Sequence, residues 1–263
     1  MTDRPILFST PMVRALLAGT KTQTRRLLKE QPPEWATFCQ QPSMLNILHQ
    51  WVPSGLWAWS EPEQDPPRAL RRWPIDKDGQ HYWLRPRIAK GDRLWVRENA
   101  AIRTQRWHHE DGHSYSISYR ADENGSGQSL GLPNSGDSQR KGEPPYVFPK
   151  RSHNKSGSMR WQPSIHMPRR ASRLTLTVTD VRIERLQDIS EADAIAEGCK
   201  QYSSSTRLSR PFNADWKGIY RQGYAELWNE INGDGSWEDN PWIVAYTFTV
   251  HHCNIDQMAK EAA

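Results

Sequence analysis

Residues 18–26 read AGTKTQTRR. The stretch holds an amine (Lys21), a hydroxyl (Thr24) and two fixed cations (Arg25 and Arg26), with no acid among them. Like charges disfavour a further cation, so the neighbouring arginines favour the neutral amine of Lys21. A neutral amine can take the proton of the Thr24 hydroxyl and turn that oxygen into a nucleophile. An anionic intermediate can then be held by Arg25, Arg26 or backbone N–H groups. On a straight strand Lys21 and Thr24 face opposite sides, whereas in a turn behind a helix they converge. A structural reading of Lys21 stands beside this one: a solvated lysine past a helix C-terminus complements the dipole. The segment is not a P-loop, because its glycine and lysine are not adjacent and the spacer between glycines is missing.

Other residues with chemical reach lie far along the chain. Glu197 ends the short helical stretch SEADAIAEG, where a carboxylate opposes the helix dipole, which points to a role other than stability. Arg97 and Glu98 close the strand-like KGDRLWVRE; they read as a solvated ion pair, or as a binding pair in which Glu98 meets a base edge or an exocyclic amine. Residues 150–173 carry seven Lys or Arg and no Asp or Glu, with His153, Trp161 and His166 among them. Arg160, Arg169, Arg170 and Arg173 of this segment suit a phosphate backbone, and equally a soluble basic loop. His108, His109, His113 and the triplet His251, His252 and Cys253 lack the paired cysteine spacing of a zinc site, so no metal and no cofactor is expected. Cys199 reads as a small buried apolar side chain.

The elements that must position these residues are legible in part. Ile6–Phe8 reads as a first strand. Thr10 and Pro11 read as an N-cap and first helical residue, Met12, Val13, Leu16 and Leu17 as the apolar stripe, and Gly19 as the terminating residue. Residues 31–86 hold nine prolines and six tryptophans with little periodicity, which predicts an irregular insertion over 31–85 held by aromatic contacts. KGDRLWVRE is a turn entering a strand. Residues 102–120 read as a hairpin turning at Asp111-Gly112, and the polar stretch 121–159 as a long mobile loop. SRLTLTVTDVRIERL at 172–186 is the clearest strand. Ser190 with Asp193 resembles a capping box opening a short helix that ends at Gly198. Tyr220, Tyr224, Leu227, Trp228 and Ile231 mark an amphipathic helix, and 240–252 a last strand. Strands outnumber helices without a regular alternation, which favours an α+β fold, a small β-barrel with helices attached.

Composition sets outer limits. The 263 residues allow a real core, and 36% hydrophobic content with a mean hydropathy of −0.86 predicts a modest core and large polar insertions. A net charge of +5 is compatible with a polyanion partner, and 13 tryptophans suit base stacking and irregular cores alike. No apolar run of about 18 residues and no secretory h-region appear, and three widely spaced cysteines suggest a reducing compartment, so a cytoplasmic protein with no membrane partner is expected.

LAGTKTQTRR behind a short helix, KGDRLWVRE, and a long strand leading to LQDISEADAIAEG resemble, in this order, the ASCH-domain proteins. EINGDGSWEDNPW at 230–242 is similar to the endings of a phage- and prophage-encoded group of them. The resemblance covers residues 4–29, 86–120 and 160–252. It implies a single PUA-like β-barrel domain over 1–263 with insertions at 31–85 and 121–159, in the cytoplasm of a bacterial host. Small N4-acetylcytidine amidohydrolases of that superfamily use a Lys and a Thr of the G-x-K-T-x-T segment, matched by Lys21 and Thr24, and a Glu beyond the long strand, matched by Glu197. The implied activity is hydrolysis of an N4-acylated cytidine or related modified nucleoside. Lys21 would be base, Thr24 nucleophile and Glu197 proton donor, with Arg25, Arg26, Arg97 and Glu98 at the substrate. The rivals are a non-catalytic RNA- or DNA-binding module and a ribonuclease on the same fold. The chain departs from those amidohydrolases in its length, its two insertions and the VRE after the Gly-Asp turn.

Overall fold

The computed structural model describes residues 2–32, 38–41, 43–60, 83–106, 113–122, 161–201 and 219–261. In chain order the elements begin with β1 (Asp3–Leu7), α1 (Thr10–Leu17), β2 (Gln23–Leu27), β3 (Phe38–Gln40), β4 (Ser43–Leu45), β5 (Trp51–Pro53), β6 (Trp57–Ser60) and β7 (Trp83–Leu84). They continue with β8 (Arg93–Arg97), β9 (Ala100–Arg106), β10 (His113–Tyr119), β11 (Thr175–Arg185), α2 (Glu191–Ala196), α3 (Ile219–Asn232), β12 (Trp242–His251) and α4 (Ile255–Glu261). The chain divides into two compact units. Met1–Gly19, Arg93–Thr177 and Val250–Ala263 form the first, and Thr20–Asp92 and Val178–Thr249 the second.

The fold is α+β. Its largest sheet has the order β1-β8-β11-β12-β2, with β1 parallel to β8 and the pairs β8·β11 and β12·β2 antiparallel. Among the described residues β1 and β2 are its edges and do not pair with each other. The sheet therefore stays open, where the sequence suggested a small closed barrel. Barrel closure depends on pairing between chain-distant edges, which no local pattern encodes.

In the first unit, α1 starts one residue earlier than its composition implied. Ser9 is the N-cap, with an extended backbone and no side-chain cap bond, and Pro11 sits in the first turn, where its missing N–H costs nothing. Gly19 (φ 70°) ends the helix in the left-handed conformation that a side chain disfavours. β9 and β10 pair over their full length, from Ala100↔Tyr119 to Arg106↔His113. Their turn, Asp111-Gly112 included, lies outside the described residues, as do 123–159 of the polar stretch.

In the second unit, β12 is buried from Trp242 through Tyr246 without alternation, as befits a strand flanked by β11 and β2. The core beside it joins Leu186, Ile189, Ala194, Tyr224, Trp228, Ile243 and Ala245, so α2 and α3 pack on the β12 side of the sheet. Residues 33–37, 42 and 61–82 of the Pro/Trp-rich stretch lie outside the described residues, and the rest has more regular structure than its composition implied. Its described part forms a three-stranded sheet β3-β6-β7 and a two-stranded hairpin β4-β5. Trp59 of β6 is fully buried with its ring 5.6 Å, edge to face, from Trp242. Strands of two to four residues are too short to show alternation.

Ser190 caps α2 as its sequence implies: its hydroxyl accepts from the Asp193 N–H at 3.0 Å. Ser190→Ala is expected to lower stability by about 1 kcal/mol, the usual cost of losing an N-cap, read as a shift of the urea midpoint at constant slope.

Candidate functional site

The second unit brings Lys21 and Glu197 together across 176 residues of chain. Local structure explains how. Past Gly19 the chain extends, Thr22 N–H donates to Ala196 at 2.8 Å, and the backbones of Lys21 and Glu197 form an isolated antiparallel bridge. The C-terminal end of α2 is thus stitched to the entry of β2. Lys21 Nζ lies 2.6 Å from Glu197 Oε2 and also donates to the Glu197 backbone carbonyl at 2.9 Å. The two side chains are 1% and 5% exposed, so the pair is almost completely removed from water.

Alternation along β2 builds the rest. Gln23 and Arg25 project to the side of Glu197, and Asp193, one turn before Glu197 on α2, meets them. Arg25 Nη2 lies 2.8 Å from Glu184 Oε1 and 3.2 Å from Asp193 Oδ2. Its Nη1 lies 3.4 Å from Glu197 Oε1 and also donates to Gln23 Oε1. Gln23 Nε2 donates to Asp193 Oδ1 at 3.0 Å, as does Arg182 Nη2 at 3.0 Å. The Tyr224 ring centre stands 6.0 Å from the Arg25 guanidinium carbon. The result is a cluster of two cations and three carboxylates, in which Lys21, Arg25 and Glu197 are buried, Glu184 and Asp193 are half-buried, and Arg182 lies at the rim.

The charges shape one another. Burial works against the Arg25 cation, but Glu197 and Glu184 outweigh it and hold the guanidinium charged more firmly than usual. Burial, with the Glu197 charge, pushes the Tyr224 hydroxyl well above its ordinary range. Burial and Glu197 also push the Cys199 thiol up to about 12, which leaves it an inert thiol. Burial alone would raise Asp193; hydrogen bonds from Gln23 and Ser190 and the charges of Arg25 and Arg182 bring it down to about 2 instead. A carboxylate depressed in the folded state adds stability above its unfolded pKa of about 3.9, and that stability is lost as pH falls toward the folded value. The stability gap between wild type and Asp193→Asn is therefore expected to be full at pH 5 and to close between about pH 4 and pH 2, read from urea midpoints at each pH.

The other sequence candidates lie elsewhere. Thr24 is buried in β2 opposite Tyr246, and alternation sets it with Arg26 on the face away from Gln23 and Arg25. Arg26 is half-buried, and burial pulls its guanidinium pKa down against the opposing pull of Glu197.

Arg97, Glu98, Arg169 and Arg173 belong to the first unit. Arg97 donates to the backbone carbonyls of Met167 (3.1 Å) and Ile165 and lies over the Trp95 ring, so it fastens the 164–167 turn. Glu98 is buried and gripped at both oxygens by Arg173, at 2.9 and 3.1 Å; burial raises its pKa and Arg173 opposes the rise. Arg173 also donates to Asp122 at 2.7 Å and lies over the Tyr119 ring at 4.0 Å. Arg169 joins Asp3 (2.6 Å) and Asp256 (2.7 Å). The basic segment has no acid of its own, yet two of its arginines are neutralised by acids distant in sequence. Arg170 is exposed, and Arg160 lies outside the described residues.

Sequence reasoning missed Gln23, Glu184, Asp193 and Tyr224. The signal was present as strand parity with Lys21 for Gln23, and as helical spacing from Glu197 for Asp193. Nothing in the sequence ties Glu184 or Tyr224 to them. Among the described residues no group of three His, Cys, Asp or Glu side chains is arranged to hold a metal ion, and no helix is long and apolar enough to cross a membrane. Comparison with known proteins finds no matching family model, no similar curated protein and no similar solved structure.

Proposed function

We propose that the second unit carries an amidohydrolase site acting on an N4-acylated cytidine or a related modified nucleoside, with Lys21 and Glu197 as its proton-transfer pair. The observation that supports this reading is their 2.6 Å contact in an almost water-free setting, on the elements that resemble the ASCH-type enzymes. An amine and a carboxyl in direct contact are the pairing of base and acid that amide hydrolysis requires, Lys21 to take a proton and Glu197 to give one. A water yields its proton to Lys21 and adds to the acyl carbonyl. The C–N bond then breaks as Glu197 protonates the departing N4, and the products are cytidine and the free carboxylate. Arg25 Nε–H is buried with no acceptor among the described residues, which leaves one donor for the oxyanion. Attack is assigned to water because Thr24 lies on the opposite face of β2.

The nucleic-acid-binding reading draws less support, since Arg169 and Arg173 are already committed to Asp3, Asp256, Glu98 and Asp122. Incubating the protein with N4-acetyl-, N4-propionyl- and N4-benzoylcytidine and with end-labelled RNA, followed by mass spectrometry and gels, tests both. Release of cytidine from at least one nucleoside is expected. RNA retention or cleavage with every acylated cytidine intact would overturn the proposal.

A further inference from the structure

The hairpin β4-β5 is the most apolar exposed feature of the described surface. Ile47 is 95% exposed, Leu48 69% and Trp51 69%, and Met44 and Leu45 are about half exposed. The display is built rather than frayed. The Asn46 side-chain oxygen accepts from Leu48 N–H (2.9 Å) and Gln50 N–H (3.0 Å), Asn46 N–H donates to the Gln50 carbonyl (3.0 Å), and His49 takes a left-handed φ of 58°. A non-glycine residue in that conformation carries strain, which the hydrogen bonds of the turn offset. No Asp, Glu, Lys or Arg occurs between Glu34 and Glu61, in a chain with 65 such residues (35 basic and 30 acidic).

Backbone parity identifies the open edge. Asn46 and Gln50 form a hydrogen-bonded pair, so Met44↔Val52 is the next one, while Leu45↔Trp51 and Ser43↔Pro53 are not hydrogen-bonded to each other. Pro53, which has no N–H, fits the outward position it occupies. The N–H and C=O groups of Ser43 and Leu45 therefore point away from β5, and β4 has no second partner strand among the described residues. The outer edge of β5 lacks a donor at Pro53, whereas the edge of β4 is complete.

We propose that β4 is a homodimerisation edge. Two copies pair β4 with β4 antiparallel about a two-fold axis at Met44, making a four-stranded sheet in the order β5-β4-β4-β5. Ser43 of each copy faces Leu45 of the other, which satisfies all four outward N–H and C=O pairs. The Leu45 and Trp51 side chains of both copies merge into one apolar face. The choice of occupant rests on charge and on the edge. Two copies each carry a net charge of +5, and the uncharged hairpin adds no like-charge repulsion where they would meet. A lipid surface or a nucleic acid would call for Lys or Arg beside the apolar tip, and the hairpin has none. A β-edge that is open among the described residues is a template for pairing with another chain, and a second copy presents the same complementary edge.

The test is sedimentation velocity across about 1–200 µM, with the full chain under reducing conditions. Wild type is expected to show a reversible monomer–dimer equilibrium. Leu45→Pro removes an outward N–H without touching the β4·β5 ladder and is expected to weaken the dimer at least tenfold; Ser43→Pro is the second variant should the first fail to fold. In air, Met44→Cys is expected to give a dimer joined by a disulfide across the two-fold axis, because opposed residues at a non-hydrogen-bonded position come within disulfide reach. A wild type that is monomeric throughout, a dimer indifferent to both prolines, or a Met44→Cys variant that forms no such link would overturn the proposal. Flotation of monomeric wild type with phosphatidylcholine vesicles would overturn it in favour of a lipid surface.

Discussion

Lys21→Arg and Glu197→Gln are each expected to lower kcat/KM for an N4-acylated cytidine by about 10²-fold or more, the usual scale for a positioned acid or base. Arginine keeps the cation opposite Glu197 but cannot serve as a base, because guanidinium stays protonated. Glutamine keeps the shape of Glu197 and its acceptor oxygen toward Lys21 Nζ, yet it has no proton to give a leaving amine. Thr24→Val separates the two candidate nucleophiles. With water as nucleophile it leaves turnover within about threefold, since Thr24 lies across β2 from Arg25. A loss comparable to that of Lys21→Arg would return the attack to the Thr24 hydroxyl. Steady-state kinetics on variants whose circular dichroism matches wild type provide the check. Wild-type-like turnover in Lys21→Arg would remove the proton-transfer pair from the mechanism.

The parts of this fold that were legible in sequence are those set by neighbours. The alternation of Leu174, Leu176 and Val178 announces β11, which begins at Thr175, the spacing of Tyr220, Tyr224, Leu227 and Trp228 announces α3, and Ser190 announces the start of α2. What stayed hidden depends on chain-distant pairing. The segment around Arg25 contains no acid, which sequence reading took as an electropositive site built to keep Lys21 neutral. In the fold, Glu184, Asp193 and Glu197 arrive from β11 and α2 to surround the cations. Arg173 likewise finds Glu98 and Asp122 on the far side of a long excursion of chain. Local charge balance along a chain says little about charge balance in space, because strands adjacent in a sheet are often remote in sequence.

Arg25→Met is expected to cost about 3–5 kcal/mol of stability, the range found when one partner of a buried ion pair is removed and the other remains. The Arg25 side chain is fully buried and meets three carboxylates within 3.4 Å. Methionine fills similar space without charge, so packing changes little and the loss is electrostatic. After the substitution Lys21 still holds Glu197, and Arg182 still holds Asp193 at 3.0 Å, whereas Glu184 keeps only a 3.7 Å contact with Arg182. Glu184 is therefore the carboxylate most fully orphaned. Adding Glu184→Gln to Arg25→Met removes that orphan charge, and the double variant is expected to recover at least about 1 kcal/mol over Arg25→Met alone, within the range of coupling between contacting residues. In the presence of Arg25 the same Glu184→Gln is destabilising. This reversal of sign is a coupling that independent sites do not show. Urea unfolding of the four proteins at pH 7 measures it. A change in Arg25→Met of under about 0.5 kcal/mol, the scale of ordinary surface substitutions, would mean that water reaches the cluster and that its ion pairs are not what holds α2 against β2.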